Sequence, residues 1–172
     1  MNIVAKFDKV SFEQFKKDTK KCFGENYPEE LIIEAYNVNL QLPTRATRGS
    51  AGYDFKIPFD IFWEPKETFI IPTGIRVHMN TNWVLKIYPR SSLGFKYRME
   101  LDNTTGIIDS DYYYSKNEGH ILAKITNNTK EEKTLILHPG DAFIQGIFCH
   151  YGITEDDNVT EVRNGGFGST NK

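Results

Sequence analysis

Hydrophobic and polar positions follow two different rhythms along this chain. Ile3 to Phe7 alternate as a short strand. Ser11 then opens a helix, with Gln14 three residues on completing a capping-box pattern. Phe12, Phe15 and, less regularly, Cys22 and Phe23 form its inner side, Lys16, Lys17, Lys20 and Lys21 its wet side, and Gly24 its stop. Pro28 begins a second short helix, with Glu29 and Glu30 in the first turn where the helix dipole favours acids. Leu31, Ile32 and Ala35 are its expected buried side. The lysines here read as a solvated helix face, because acids are interleaved with them.

From Val38 onward the rhythm changes to short β-rich runs: Phe69 to Ile71, Ile75 to Met79, Trp83 to Tyr88, His120 to Thr126, Thr134 to His138 and Phe143 to His150. Pro58, Pro65, Pro72, Pro89 and Pro139 punctuate them. The expected fold is mainly β, an antiparallel sandwich or jelly-roll-like barrel behind a short N-terminal helical extension. The division expected is 1–37 as an extension packing on the same domain, 38–162 as the barrel, and 163–172 as a mobile glycine-rich arm.

Composition narrows the class. At 172 residues the length suits one domain with a real core, and the hydrophobic fraction of 39% is ordinary for a globular chain. A net charge of −2 with scattered signs argues against direct nucleic-acid binding, yet leaves room for a small phosphorylated ligand. Cys22 and Cys149 lack metal-ligand spacing and read as free thiols. No signal pattern and no apolar run near the ~18 residues of a membrane span are present, so no membrane contact and a cytoplasmic location are expected.

Five segments carry candidate chemistry. Ala46 to Asp54 places small residues before an acid, and also reads as a loop entering a strand. In Tyr88-Pro89-Arg90-Ser91-Ser92-Leu93-Gly94 a strand ends in a guanidinium and two hydroxyls, suited to phosphate oxygens; local turn bonds are the plainer alternative. In Thr105-Gly106-Ile107-Ile108-Asp109-Ser110-Asp111-Tyr112 an extended backbone would put Asp109 and Asp111 on one face, where each raises the other's pKa. The alternative there is a β-hairpin with an Asp-Ser-Asp turn. Gly140 to Gly146 contains Gln145 in an apolar strand, a ligand contact or a satisfied core glutamine. Arg163 to Thr170 combines glycines and donors with Phe167, an aromatic able to cover a flat base, and lacks the spacing of a Walker loop.

In this order the five segments resemble the motifs of the homotrimeric dUTPases, Gram-positive bacterial and bacteriophage members above all. The resemblance spans about residues 38 to 172. It implies hydrolysis of dUTP to dUMP and pyrophosphate by Mg²⁺-assisted attack of water on the α-phosphorus. It implies Asp109 as general base, Tyr112 under the deoxyribose, and Asn103 with backbone groups of Gly106 and Ile108 reading uracil. Arg90, Ser91, Ser92 and Gln145 would hold phosphates, and Asp54 the metal through water. Phe167 with Gly168 would form the lid, and Arg163, Ser169 and Thr170 would reach the terminal phosphates. The fifth motif departs from the family: Arg163-Asn164-Gly165-Gly166 is one residue short, and Asn171 stands where glycine is usual.

The resemblance further implies a homotrimer with sites shared between subunits. Two other readings stand beside it. One is a regulatory scaffold that docks a protein partner with nucleotide as switch. The other is a dCTP deaminase, disfavoured because Lys124 falls where that family's working glutamate precedes an asparagine, here Asn127.

Overall fold

The computed structural model describes residues 2–161 and residue 163. Strand β1 (Ala5–Lys9) lies slightly later than expected and pairs antiparallel with β6 (Ile75–Met79). Helix α1 (Phe12–Phe23) follows, and only half of its capping box forms. Ser11 Oγ accepts the Gln14 N–H at 3.2 Å, but the Gln14 amide turns forward to Asp18 at 2.7 Å. The Ser11 N–H goes instead to the Glu118 carboxylate at 2.8 Å. Gly24 ends the helix at φ 105°, a backbone conformation that costs glycine little.

Helix α2 (Glu29–Glu34), entered through Pro28, continues into a π-helical turn, Ala35–Asn39. Ile32 and Ala35 are buried as expected, whereas Leu31 remains 43% exposed. Ile32 and Ala35 are one turn apart and define the buried stripe; Leu31 points roughly 100° away from Ile32 around the helix.

The β part comprises β2 (Thr44–Arg45), β3 (Tyr53–Lys56), β4 (Ile61–Trp63), β5 (Thr68–Pro72) and β7 (Trp83–Pro89). After them come α3 (Ser91–Tyr97), β8 (Met99–Leu101), β9 (Gly106–Ile108) and a 3₁₀ helix, Ser110–Tyr114. Strands β10 (Leu122–Asn127), β11 (Leu135–Leu137) and β12 (Ala142–His150) complete the described chain. The largest sheet runs β2-β3-β12-β7-β9, a second runs β5-β10-β8, and β11 pairs with β4. All these pairings are antiparallel, so the expected mainly β fold is present.

One core joins the two parts of the sequence. Phe15 and Ile32 from the N-terminal helices lie in the same buried cluster as Phe55, Trp63, Leu85, Ile125 and Phe143. Phe15 stacks on Phe59 at 5.7 Å between ring centroids. Burial of a phenylalanine of this kind is worth about 1.5–3 kcal/mol, so α1 is held by more than polar contacts.

Candidate functional site

Asp109 stands where the extended backbone of β9 gives way to the 3₁₀ helix, at φ −81° and ψ 158°. The extended backbone expected through Asp109 and Asp111 is corrected, since Asp111 is already in the helical turn, yet both carboxylates still reach one partner, Arg163. Nor is Asp-Ser-Asp the turn of a β-hairpin, because a 3₁₀ helix rather than a strand follows Asp109, and β9 pairs with β7, Gly106 against Ile87 and Ile108 against Leu85. Gly106 permits that pairing to be close; a Cβ there would lie 3.0 Å from Ile87 Cβ. The chain thus crosses from one sheet to another between β8 and β9, and a cleft opens at the crossing.

That cleft has a volume of about 750 Å³. Asn103, Thr105, Gly106, Ile108, Tyr112 and Arg163 line it, over an apolar floor that includes Ile87 and Leu101. An apolar slot with a few convergent polar groups suits a flat heterocycle read along its edge. Tyr112 is buried; its hydroxyl donates to the His120 carbonyl at 2.8 Å and accepts from Asn117 Nδ2 at 2.8 Å. Beneath it, Arg76 donates to the Tyr113 carbonyl at 2.8 Å and stacks over the Tyr113 ring. The ring face that Tyr112 offers is therefore fixed rather than adaptable.

Arg163 bridges the two acids. Its Nε donates to Asp111 at 3.0 Å, and a terminal nitrogen donates to Asp109. The Asp109 carboxyl is raised above the ordinary aspartate value, first by burial and then by Asp111, with Arg163 pulling the other way. The expected direction holds, but burial rather than the neighbouring carboxylate leads. Of the fifth motif, Phe167, Gly168, Ser169 and Thr170 lie outside the described residues.

The phosphate-type residues gather elsewhere, at the far end of β7. Gln145 pairs with Asp54 on one side and Tyr88 on the other, and its Nε2 donates to the Pro89 carbonyl at 3.4 Å. Gly52 makes room for it, since a Cβ there would lie 2.7 Å from Gln145 Oε1. Arg90 approaches Asp54 at 3.6 Å, and Ser91 and Ser92 open α3, both exposed. Arg90 follows Pro89 and faces solvent with them, a compact set of donors beside one carboxylate.

These two groups do not meet within the chain. Ile108 and Gly106 sit opposite Leu85 and Ile87, so Arg90, just past the end of β7, is five and three residues further along the chain. At ~3.3 Å per residue the backbone gap is on the order of 10–17 Å, beyond the reach of a single hydrogen bond. The chain presents two half-sites set apart along β7.

Three neighbours of the cleft escaped sequence reasoning: Lys21 and Cys22 from α1, and His120 behind Tyr112. The available signal was Asp18, an acid on the inner side of an otherwise apolar helical face. Both cysteines are free, as expected, and half-buried; burial pushes the Cys22 thiol up to about 11, so it is no nucleophile. Among the described residues, no three His, Cys, Asp or Glu side chains cluster as a metal site, and no helix could cross a membrane. Lys124 pairs with Asp102 at 3.0 Å and Asn127 is buried on the Trp63 carbonyl, so neither supplies a deaminase-type acid.

Fold and cleft together define a small β protein with a slot for a flat ring beside a half-buried carboxylate, and a separate cluster of anion donors. The dUTPase family model matches residues 38–171. The chain belongs to the dUTPase family. The deoxyuridine 5′-triphosphate nucleotidohydrolase of Lactococcus lactis is 37% identical over 144 residues, covering 82% of this chain and 95% of that protein. The crystal structure of the Streptococcus mutans dUTPase superimposes with a TM-score of 0.63 at 30% identity, covering 87% of this chain and 98% of that one. The dUTPase of phage phi11 of S. aureus, described with a structural Mg(II) ion, shares the fold at a TM-score of 0.58 and 21% identity, covering 73% and 93%.

Proposed function

We propose that this protein is a dUTP diphosphatase that hydrolyses dUTP to dUMP and pyrophosphate, keeping uracil out of DNA and supplying dUMP for dTMP synthesis. The observation that carries the reading is the Asp109 carboxylate held by Arg163 at the cleft, in sequence between cleft residues Ile108 and Tyr112, in a chain of the dUTPase family. Asp109 takes a proton from water aimed at the α-phosphorus, and a carboxyl raised above the ordinary value is better fitted to that task than an unperturbed aspartate. Asn103 with the backbone of Gly106 and Ile108 reads uracil, and Tyr112 packs under the deoxyribose. Arg90, Ser91, Ser92 and Gln145 hold phosphates, with Phe167, Gly168, Ser169 and Thr170 closing over the nucleotide. Arg163 leaves the acids for the terminal phosphates, because a triphosphate offers it more negative charge than two carboxylates do.

Mg²⁺ fits this donor set. A lone carboxylate such as Asp54 suits an ion that keeps most of its waters and takes its remaining oxygens from phosphate. When bound, the ion neutralises charge that builds on the phosphoryl oxygens. The separation of the half-sites supports a site shared between subunits, and with family membership it supports a homotrimer. The Lactococcus, Streptococcus and phage relatives support the Gram-positive or phage type, and a cytoplasmic location follows from the reaction. A regulatory protein partner, with nucleotide as switch, is a second role compatible with the same scaffold.

The test is pyrophosphate release from dUTP, with dCTP, dTTP and UTP as controls. Turnover confined to dUTP supports the reading; equal turnover of all four, or none, removes it.

A further inference from the structure

Helix α1 lies outside the residues matched by the family model, yet it reaches the nucleotide cleft by two routes. Lys21 and Cys22, at its C-terminal end, line the cleft itself. The face one turn back grips the loop that ends at His120, and it does so at two points two helical turns apart. At the first, Ser11 gives both its N–H (2.8 Å) and its hydroxyl (2.6 Å) to the Glu118 carboxylate. At the second, Asp18 Oδ2 meets His120 Nδ1 at 2.6 Å.

His120 is fully buried, and its ring is held from both sides. Nε2 accepts the Gly74 N–H at 2.8 Å, so the ring proton is on Nδ1 and is donated to Asp18. The same Asp18 oxygen accepts the Gln14 amide at 2.7 Å, which orients the carboxylate along the helix. The carbonyl of His120 is the acceptor for the Tyr112 hydroxyl. Gly119, at φ 70°, brings this loop so close that a Cβ would lie 2.7 Å from the Tyr112 carbonyl oxygen. An unbroken line of hydrogen bonds and backbone therefore runs from α1 to the ring at the cleft wall.

We propose that Asp18 is a positioning residue for sugar selection: through His120 it sets the depth of Tyr112, and hence the space left for a 2′-hydroxyl. The inference rests on the proposed role of Tyr112 under the deoxyribose. Distances of this kind matter because a 2′-hydroxyl adds a single oxygen, and a ring displaced by a fraction of an ångström would admit it. The helix thus adds a specificity determinant that the five sequence segments do not contain.

The experiment compares kcat/KM for dUTP and for UTP in the full-length protein and in three variants. In Asp18→Asn the amide oxygen can still accept from both His120 and Gln14, so the dUTP:UTP ratio should stay within about twofold of the parent. In Asp18→Leu and in Asp18→Ser, which is too short to reach His120, the ratio should fall by about tenfold, the scale of one lost hydrogen bond. The ratio is taken on one preparation, so any unfolded fraction cancels, and either breaking variant suffices if the other does not fold. An unchanged ratio in a folded breaking variant overturns the proposal, as does an equal loss in Asp18→Asn. Failure of the parent itself to hydrolyse dUTP would instead strike the proposed activity, so the two are told apart.

Discussion

If the half-sites belong to different subunits of one assembly, two dead variants should repair each other. Asp109→Asn removes the proposed base and Arg90→Ala a proposed phosphate donor, on opposite sides of the gap between the two half-sites. Neither variant alone holds a complete site. In assemblies formed from equal amounts of both, a working site needs an intact Asp109 from one subunit and an intact Arg90 from another. Random mixing meets each condition half the time, so about one quarter of parental activity should return in the unselected mixture, and a larger share once assemblies carrying both tags are selected. Co-expression of differently tagged chains, sequential affinity purification and a pyrophosphate-release assay read this directly. Were the site contained in one chain, every site in the mixture would carry a defect, and purified mixed assemblies with no recovered turnover would refute the reasoning.

The remaining predictions concern charge and backbone. The Asp109 carboxyl is raised by burial and by Asp111 and lowered by Arg163, so kcat/KM should fall on the acid side at a pH above ~3.9, the ordinary aspartate value. In Arg163→Ala that acid limb should move to higher pH, and a pH profile that moves down would contradict the assignment. Asp18 is pushed up by burial but held lower overall by His120 and Gln14. Its contribution to stability should be present above ~pH 4 and be lost as pH falls through its lowered value, giving thermal melts a steeper acid slope than in Asp18→Asn. Gly119→Ala should destabilise by about 1–3 kcal/mol, because alanine is strained at positive φ and its methyl meets the Tyr112 carbonyl; a urea midpoint equal to the parent's would count against this.

Much of the fold was legible because burial and alternation agree in its strands. Trp83 to Tyr88 and Phe143 to His150 read as strands from their composition alone, and they pair with each other in the largest sheet. The misreadings arose where long-range contacts decide. Gln14 fits a capping box locally, but Asp18 and Glu118 compete for the partners that motif would use. The Asp-Ser-Asp stretch looks extended in isolation; the 3₁₀ turn there is clamped by Arg76 from another strand. Asp109, Tyr112 and Asn103 could be named from a fixed local pattern that holds them together around one crossing. Asp18 and His120 could not, since they are 102 positions apart and only packing joins them.

The proposed hydrolysis depends above all on Asp109 taking the proton. The most direct measurement is a side-by-side determination of nucleotide affinity, by calorimetry with a non-hydrolysable dUTP analogue, and of single-turnover dUTP hydrolysis in Asp109→Asn. The amide variant should bind within about threefold of the parent while hydrolysis slows by about 10²–10⁴-fold, the usual scale of a lost general base. Hydrolysis within twofold of the parent would contradict that role.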